Sequence, residues 1–147
     1  MIKLFMFLVA LFPLCLSSSV LWAQTTGVWT SIGPLAGTVL TLQHDPFDNR
    51  VLYAVTYFGG LYKSTDSGLT WSQLVLPSRQ FLVYTVAPDS RNRGVIYIGT
   101  FDAGVYKSLD GGRTWTAKNQ GLTDTTVQAL AIDPFDAKIV LAATDAG

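Results

Sequence analysis

Glutamate is absent from this 147-residue chain, and all ten of its acidic residues are aspartate. Aspartate suits turns and caps where glutamate suits helix interiors, so the bias argues against a helical protein. Cysteine is nearly absent as well. The one cysteine, Cys15, lies in an apolar N-terminal run, so the remainder has no disulfide and no thiolate for nucleophilic or metal chemistry. The one histidine, His44, has no companions for a metal cluster or a catalytic triad, and reads as a polar residue facing a turn. Formal net charge is zero, and without Lys3 nine basic residues face ten acidic ones. That balance gives no electrostatic case for a nucleic-acid partner. Neither a metal nor a cofactor is expected.

What is present begins with a targeting signal. Lys3 precedes an apolar run over residues 4–16 and a small-residue stretch ending at Ala23, the order of a secretory signal. Residues 1–23 are expected to be cut away after Ala23, leaving a secreted or periplasmic protein. Export without disulfides suits a bacterial envelope. An uncleaved signal would be the only contact with a membrane.

The rest of the chain is ordered by a repeat. Ser64-Thr65-Asp66-Ser67-Gly68-Leu69-Thr70-Trp71 returns 44 residues later as Ser108-Leu109-Asp110-Gly111-Gly112-Arg113-Thr114-Trp115. Gly60-Leu61-Tyr62-Lys63 and Gly104-Val105-Tyr106-Lys107 precede the two copies, so the repeated unit is larger than the octapeptide. Apolar or alternating segments at 38–44, 51–56, 61–64 and 71–76 predict four short strands per unit. Segments at 81–86, 95–100, 105–108 and 115 onward repeat them, and 127–132 with 139–144 begin a third set.

Four strands in a unit of roughly 40–45 residues is the pattern of a β-propeller blade. The fold expected is all-β: a propeller of four-stranded antiparallel blades, incomplete here. Residues 24–37 hold a linker and the orphan outer strand of a closing blade. Residues 38–78 and 79–123 are whole blades, and 124–147 is about half of a third. A propeller usually closes with about four blades or more. The chain is thus expected to be a fragment or truncated product, needing C-terminal blades to close the ring.

Each octapeptide position has a physical role. The carboxylates of Asp66 and Asp110 can accept amides of their own turns, and Gly68 and Gly112 can take positive φ. Ser64, Ser108, Thr70 and Thr114 can close the remaining hydrogen bonds, and Trp71 and Trp115 start the next strand with a large apolar face. A structural role follows for the motif, rather than a catalytic one for either aspartate.

At 64–71 and 108–115 the sequence resembles the Asp box, or bacterial neuraminidase repeat. It is found in sialidases, xyloglucan-cleaving glycosidases, sortilin-type receptors and photosystem II assembly factors. The resemblance implies a propeller with the box on the hairpin between a blade's third and fourth strands, away from the ligand face. It spans enzymes and binding proteins alike, so it implies a fold rather than an activity.

Strand alternation puts the loops between second and third strands on the opposite face, with the links between blades. Tyr57, Phe58, Arg79, Gln80, Phe101, Asp102, Asp124 and Asp145 are the ligand-face candidates. The sialidase pattern is a poor match, lacking its arginine cluster and its Arg-Ile-Pro signature. In the xyloglucan-cleaving enzymes an Asp follows Thr before Gly-Gly. Tyr57-Phe58 stands there in the first blade, while Asp102 and Asp145 take comparable places later. Asp102 is the one weak catalytic candidate, as half of a carboxylate pair. The expectation is an exported, non-catalytic module presenting its loop face to a protein or polysaccharide. The alternative is the N-terminal part of a glycoside hydrolase.

Overall fold

The computed structural model describes residues 22–25, 27–34, 37–58, 60–78 and 80–146. The expected signal therefore lies outside the described residues except for Trp22 and Ala23, and Arg79 lies outside them too. No helix occurs among the described residues.

Two complete four-stranded antiparallel sheets form the middle of the molecule. The first runs β3 (Val39–Asp45), β4 (Asp48–Thr56), β5 (Gly60–Ser64) and β6 (Ser72–Gln73), and the second β7 (Val83–Pro88), β8 (Ile96–Thr100), β9 (Val105–Ser108) and β10 (Thr116–Ala117). Strands pair in sequence order within each sheet, as hairpin-connected blades must. A third sheet holds β11 (Val127–Ile132) and β12 (Val140–Thr144). The fold is thus an open array of propeller blades.

Before these, β1 (Trp22–Thr25) pairs with β2 (Val28–Ser31) in a hairpin. The sequence placed one orphan strand here. The structure adds β1, whose first two residues fall inside the expected signal, so cleavage after Ala23 would remove half of that strand.

Fourth strands are shorter than the sequence suggested. The 71–76 segment pairs as a strand only at Ser72 and Gln73, and then through the single bond from Leu74 N–H to Leu61 C=O, 2.9 Å. Lys118 N–H to Val105 C=O, 2.8 Å, repeats it in the next blade. Beyond those bonds the chain must leave the outer edge and cross to the inner strand of the next blade.

The core lies between sheets. Tyr53, Val55 and Leu61 of the first blade meet Val83, Val86, Ile96 and Ile98 of the second, with Leu74, Leu76, Tyr106 and Trp115 packed around them. Ala87, Tyr97 and Val105 likewise meet Val127, flanked by Leu130, Ile132 and Val140. This explains why β8 is buried at all five positions instead of alternating: a blade covers each of its faces. Each fully buried Val, Leu or Ile contributes about 1.5–3 kcal/mol.

The octapeptides form the third-to-fourth-strand hairpins. Ser64 Oγ is buried, accepts the N–H of Gly68 at 2.9 Å and donates to Asp66 Oδ1 at 2.8 Å. Asp66 then accepts the Thr70 N–H at 2.8 Å and hydroxyl at 2.6 Å. Ser108, Asp110, Gly112 and Thr114 repeat this set within 0.1 Å. Gly68 and Gly112 sit at φ of 91° and 94°. A Cβ on Gly112 would meet the end of the Leu74 side chain, which can turn aside, so the positive φ is what calls for glycine there.

The tryptophans do more than open a strand. Trp71 Nε1 donates to Ile32 C=O at 2.7 Å, and Trp115 Nε1 to Val75 C=O at 3.1 Å. Each acceptor lies on the segment leaving the preceding fourth strand. The segment after β2 therefore stands to the first blade as the segment after β6 stands to the second.

Asp66 is held at about 2 by the hydroxyl and N–H of Thr70, and the Thr114 hydroxyl and N–H hold Asp110 lower still. Such a group adds stability that is complete above the ordinary carboxylate value and is lost as pH falls through the folded value. The melting temperature should accordingly fall as pH drops from about 4 towards 2. Asp48, held to about 2 by Arg50, titrates in the same window. The Asp66→Asn, Asp110→Asn double variant should show a flatter melting profile there. An unchanged slope would refute the assignment.

Candidate functional site

Three equivalent main-chain bonds define the face opposite the octapeptides. Tyr57 N–H donates to Thr38 C=O at 2.8 Å, Phe101 N–H to Leu82 C=O at 2.8 Å, and Asp145 N–H to Thr126 C=O at 3.3 Å. Gly104 N–H also reaches Thr125 C=O at 2.8 Å. Second-to-third-strand loops and interblade links thus meet at one end of the sheets.

The bonds revise one equivalence. Asp145 matches Tyr57 and Phe101, whereas Asp102 matches Phe58. Asp102 and Phe58 share a left-handed backbone, with φ of 57° and 61°. Asp102 and Asp145 are therefore not in comparable places, because the turn residue that takes positive φ follows the one that bonds back to the first strand. Left-handed non-glycine residues cost energy and recur where loops are shaped for contact.

The carboxylates gather where the second and third blades meet. Asp102 Oδ1 lies 3.4 Å from the Thr125 hydroxyl, and its side chain is exposed. Asp124 accepts the Thr126 N–H at 2.8 Å and the Ala146 N–H at 2.7 Å. Those amides hold it below the usual carboxylate range, suiting it to pinning the link rather than to giving up a proton. Asp145 accepts from Gln128 Nε2 at 2.7 Å.

Aromatic residues gather at the neighbouring junction. The Tyr57 and Phe58 rings lie 4.1 Å apart, and Phe58 is 75% exposed. Beside them opens a cleft of about 550 Å³ between the first and second blades, lined by Phe58, Gln73, Val75, Ser78 and Phe81 among others. Among the described residues that line it, none carries a charge. The Phe101 ring lies tilted against Tyr84, centroids 5.9 Å apart, in the second blade, and exposed Gln80 is held by its N–H to Ser78 Oγ at 3.2 Å.

Gln73, Leu74, Val75, Leu76 and Phe81 were not singled out by the sequence for this site. The strand pattern assigns 71–76 and 81–86 to the sheet; the early end of β6 at Gln73 releases Leu74, Val75 and Leu76, and the start of β7 at Val83 leaves Phe81 outside it, so that they line a cleft. Among the described residues no group of three His, Cys, Asp or Glu could hold a metal ion. His44 lies exposed at the end of β3, with Nδ1 3.2 Å from Asp45 C=O.

An all-β array of antiparallel, propeller-type blades with a loop face on one end is the class this geometry defines. Solved structures of that class are similar to it. An ancestral GH74 enzyme aligns over 87% of this chain at 25% identity with a TM-score of 0.65. The GH74 enzyme of Niastella koreensis aligns over 66% at 27% identity with a TM-score of 0.55. The chain spans 15% of the first and 17% of the second. No protein-family model and no curated protein matches the sequence.

Proposed function

We propose that this chain is part of an exported Asp-box propeller whose loop face binds a polysaccharide, without itself carrying the hydrolytic chemistry. The observation that carries this reading is the cleft of about 550 Å³, whose described lining is apolar and neutral-polar, beside the exposed Tyr57–Phe58 ring pair. Neutral sugar rings offer apolar faces to aromatic rings and hydroxyls to amide and hydroxyl groups, and Phe58, Gln73 and Ser78 supply those counterparts. The similarity to GH74 enzymes supports a glycan over a protein ligand. The N-terminal apolar run supports export.

Hydrolysis by a two-carboxylate mechanism needs an acid and a base on opposite sides of the scissile bond. Asp124 is occupied by two amides and Asp145 by Gln128, which leaves Asp102 as the carboxylate free of strong partners. A second reading makes Asp102 half of such a pair, the other half coming from elsewhere in a longer protein. Its exposed, left-handed position favours it.

Calorimetric titration with neutral polysaccharides should give saturable binding that Phe58→Ala weakens about ten-fold, or about 1.4 kcal/mol. Binding indifferent to Phe58→Ala and Tyr57→Ala would overturn the first reading. Turnover of the same polysaccharide by the longer protein, abolished by Asp102→Asn with binding intact, would establish the second.

A further inference from the structure

The cleft between the first and second blades lies where two complete sheets meet. Both fourth strands end early, at Gln73 and at Ala117, yet the chain beyond them is held differently in the two blades. In the second, Asn119 Oδ1 accepts the Val105 N–H at 2.8 Å, and its Nδ2 donates to Ala103 C=O at 3.0 Å. One carboxamide, lying against Gly104, thus fastens the chain leaving β10 to the loop between the second and third strands.

In the first blade the backbone repeats and the side chains do not. Leu74 N–H bonds to Leu61 C=O as Lys118 N–H does to Val105 C=O, so Val75 stands in the place of Asn119, and the Leu61 N–H points as the Val105 N–H does. Gly60 and Gly104 share a left-handed φ, 90° and 81°. Val75 has no side-chain acceptor and is 79% exposed. The carboxamide of this blade is carried two residues earlier, by Gln73 opposite Tyr62, where the second blade has Ala117 opposite Tyr106. Its Nε2 comes within 3.3 Å of where a Cβ of Gly60 would stand. A carboxamide borne by β6 itself leaves the chain beyond Leu74 unfastened at position 75. The cleft lies between that chain and the loop, lined by Phe58 and Gly60 from the loop and by Val75, Leu76 and Ser78 from the chain.

We infer that positions 73 and 75 determine whether this junction binds a ligand. Gln73 and Val75, where the second blade has alanine and asparagine, hold open a place that the other pattern fastens shut, and Val75 becomes part of the wall that meets the ligand. The inference rests on the cleft being the polysaccharide site. Beside the Phe58 ring, the methyl groups of Val75 then add apolar surface for the carbon-bound hydrogens of a sugar.

The test copies the second blade's pattern into the full chain, as Gln73→Ala with Val75→Asn, and compares it with Gln73→Ala alone. Xyloglucan, galactomannan and starch are the probes. The single change should weaken the best-bound of them about three-fold, the loss of one hydrogen bond to the ligand. Adding Val75→Asn should weaken it at least about ten-fold further and slow amide exchange at Leu61 by a similar factor, as the introduced carboxamide takes that N–H. Val75→Ala shortens the wall without fastening it, and should keep affinity within about three-fold of the unaltered chain. Slowed exchange at Leu61 with undiminished binding would overturn the inference and leave the polysaccharide reading standing. So would unchanged exchange, or a loss from Val75→Ala as large as from the double variant. No binding of any probe by the unaltered chain would overturn the inference together with the reading beneath it.

Discussion

Ile98→Ala is expected to destabilise the protein by about 2–5 kcal/mol, the range for truncating a large aliphatic side chain in a packed core. Ile98 is fully buried in the central run of β8, where the second blade meets Tyr53, Val55 and Leu61 of the first. Truncation opens a cavity lined by two sheets, and neither can collapse into it without dragging its whole ladder. Set against a usual total of about 5–15 kcal/mol, this is a large share. Urea unfolding followed by tryptophan fluorescence measures it. A loss under about 1 kcal/mol would mean that the blades do not pack as described.

Gly99→Val is expected to cost at least about 1–3 kcal/mol, by overpacking. Gly99 has an ordinary strand φ, so conformational freedom is not its purpose. A Cβ there would stand 2.7 Å from both Thr85 Cγ2 and Val127 Cγ1, contacts that real structures avoid. The glycine makes a flat place on β8 where Val127, fully buried, seats the third sheet. Substitution therefore pushes β11 away and weakens the second junction more than the first. Exchange protection should fall in β11 and β12 while β4 and β5 keep theirs. A uniform loss across all sheets would argue against a local clash.

The blade order was legible in the sequence because its signals are local. Ser64, Asp66, Gly68 and Thr70 bond among themselves, so an octapeptide alone announces the hairpin and its 44-residue return announces the array. Asp45, Asp89 and Asp133 share the same spacing, and each accepts the N–H two residues on, at 2.8, 2.8 and 2.7 Å. That period went unread because its surroundings differ: Pro46-Phe47 and Pro134-Phe135 follow two of them, but Ser90-Arg91 the other.

Less of the candidate site could be read. The loop residues Tyr57, Phe58, Phe101 and Asp102 follow from strand order alone. The cleft beside them depends on where β6 lets go of β5, which is settled by the path to the next blade and not by any residue's preference. The place of Asp145 depends on a single main-chain bond to Thr126, which no side-chain pattern records. Pairing of Trp22 and Ala23 with Thr30 and Ser31 was hidden because their composition reads as a cleavage region.

The indole bonds have a consequence for how such a chain diverges. Trp71 and Trp115 take their acceptors from the main chain, at Ile32 and Val75, and a carbonyl is the same whatever residue bears it. The joint between neighbouring units is therefore neutral to substitution on its accepting side. A unit copied in tandem brings its own tryptophan and finds a ready acceptor in whatever precedes it. The segment after each fourth strand can then drift in sequence, as residues 74–78 and 118–122 have, turning one gap between units into a cleft while the tie that spaces them stays in place.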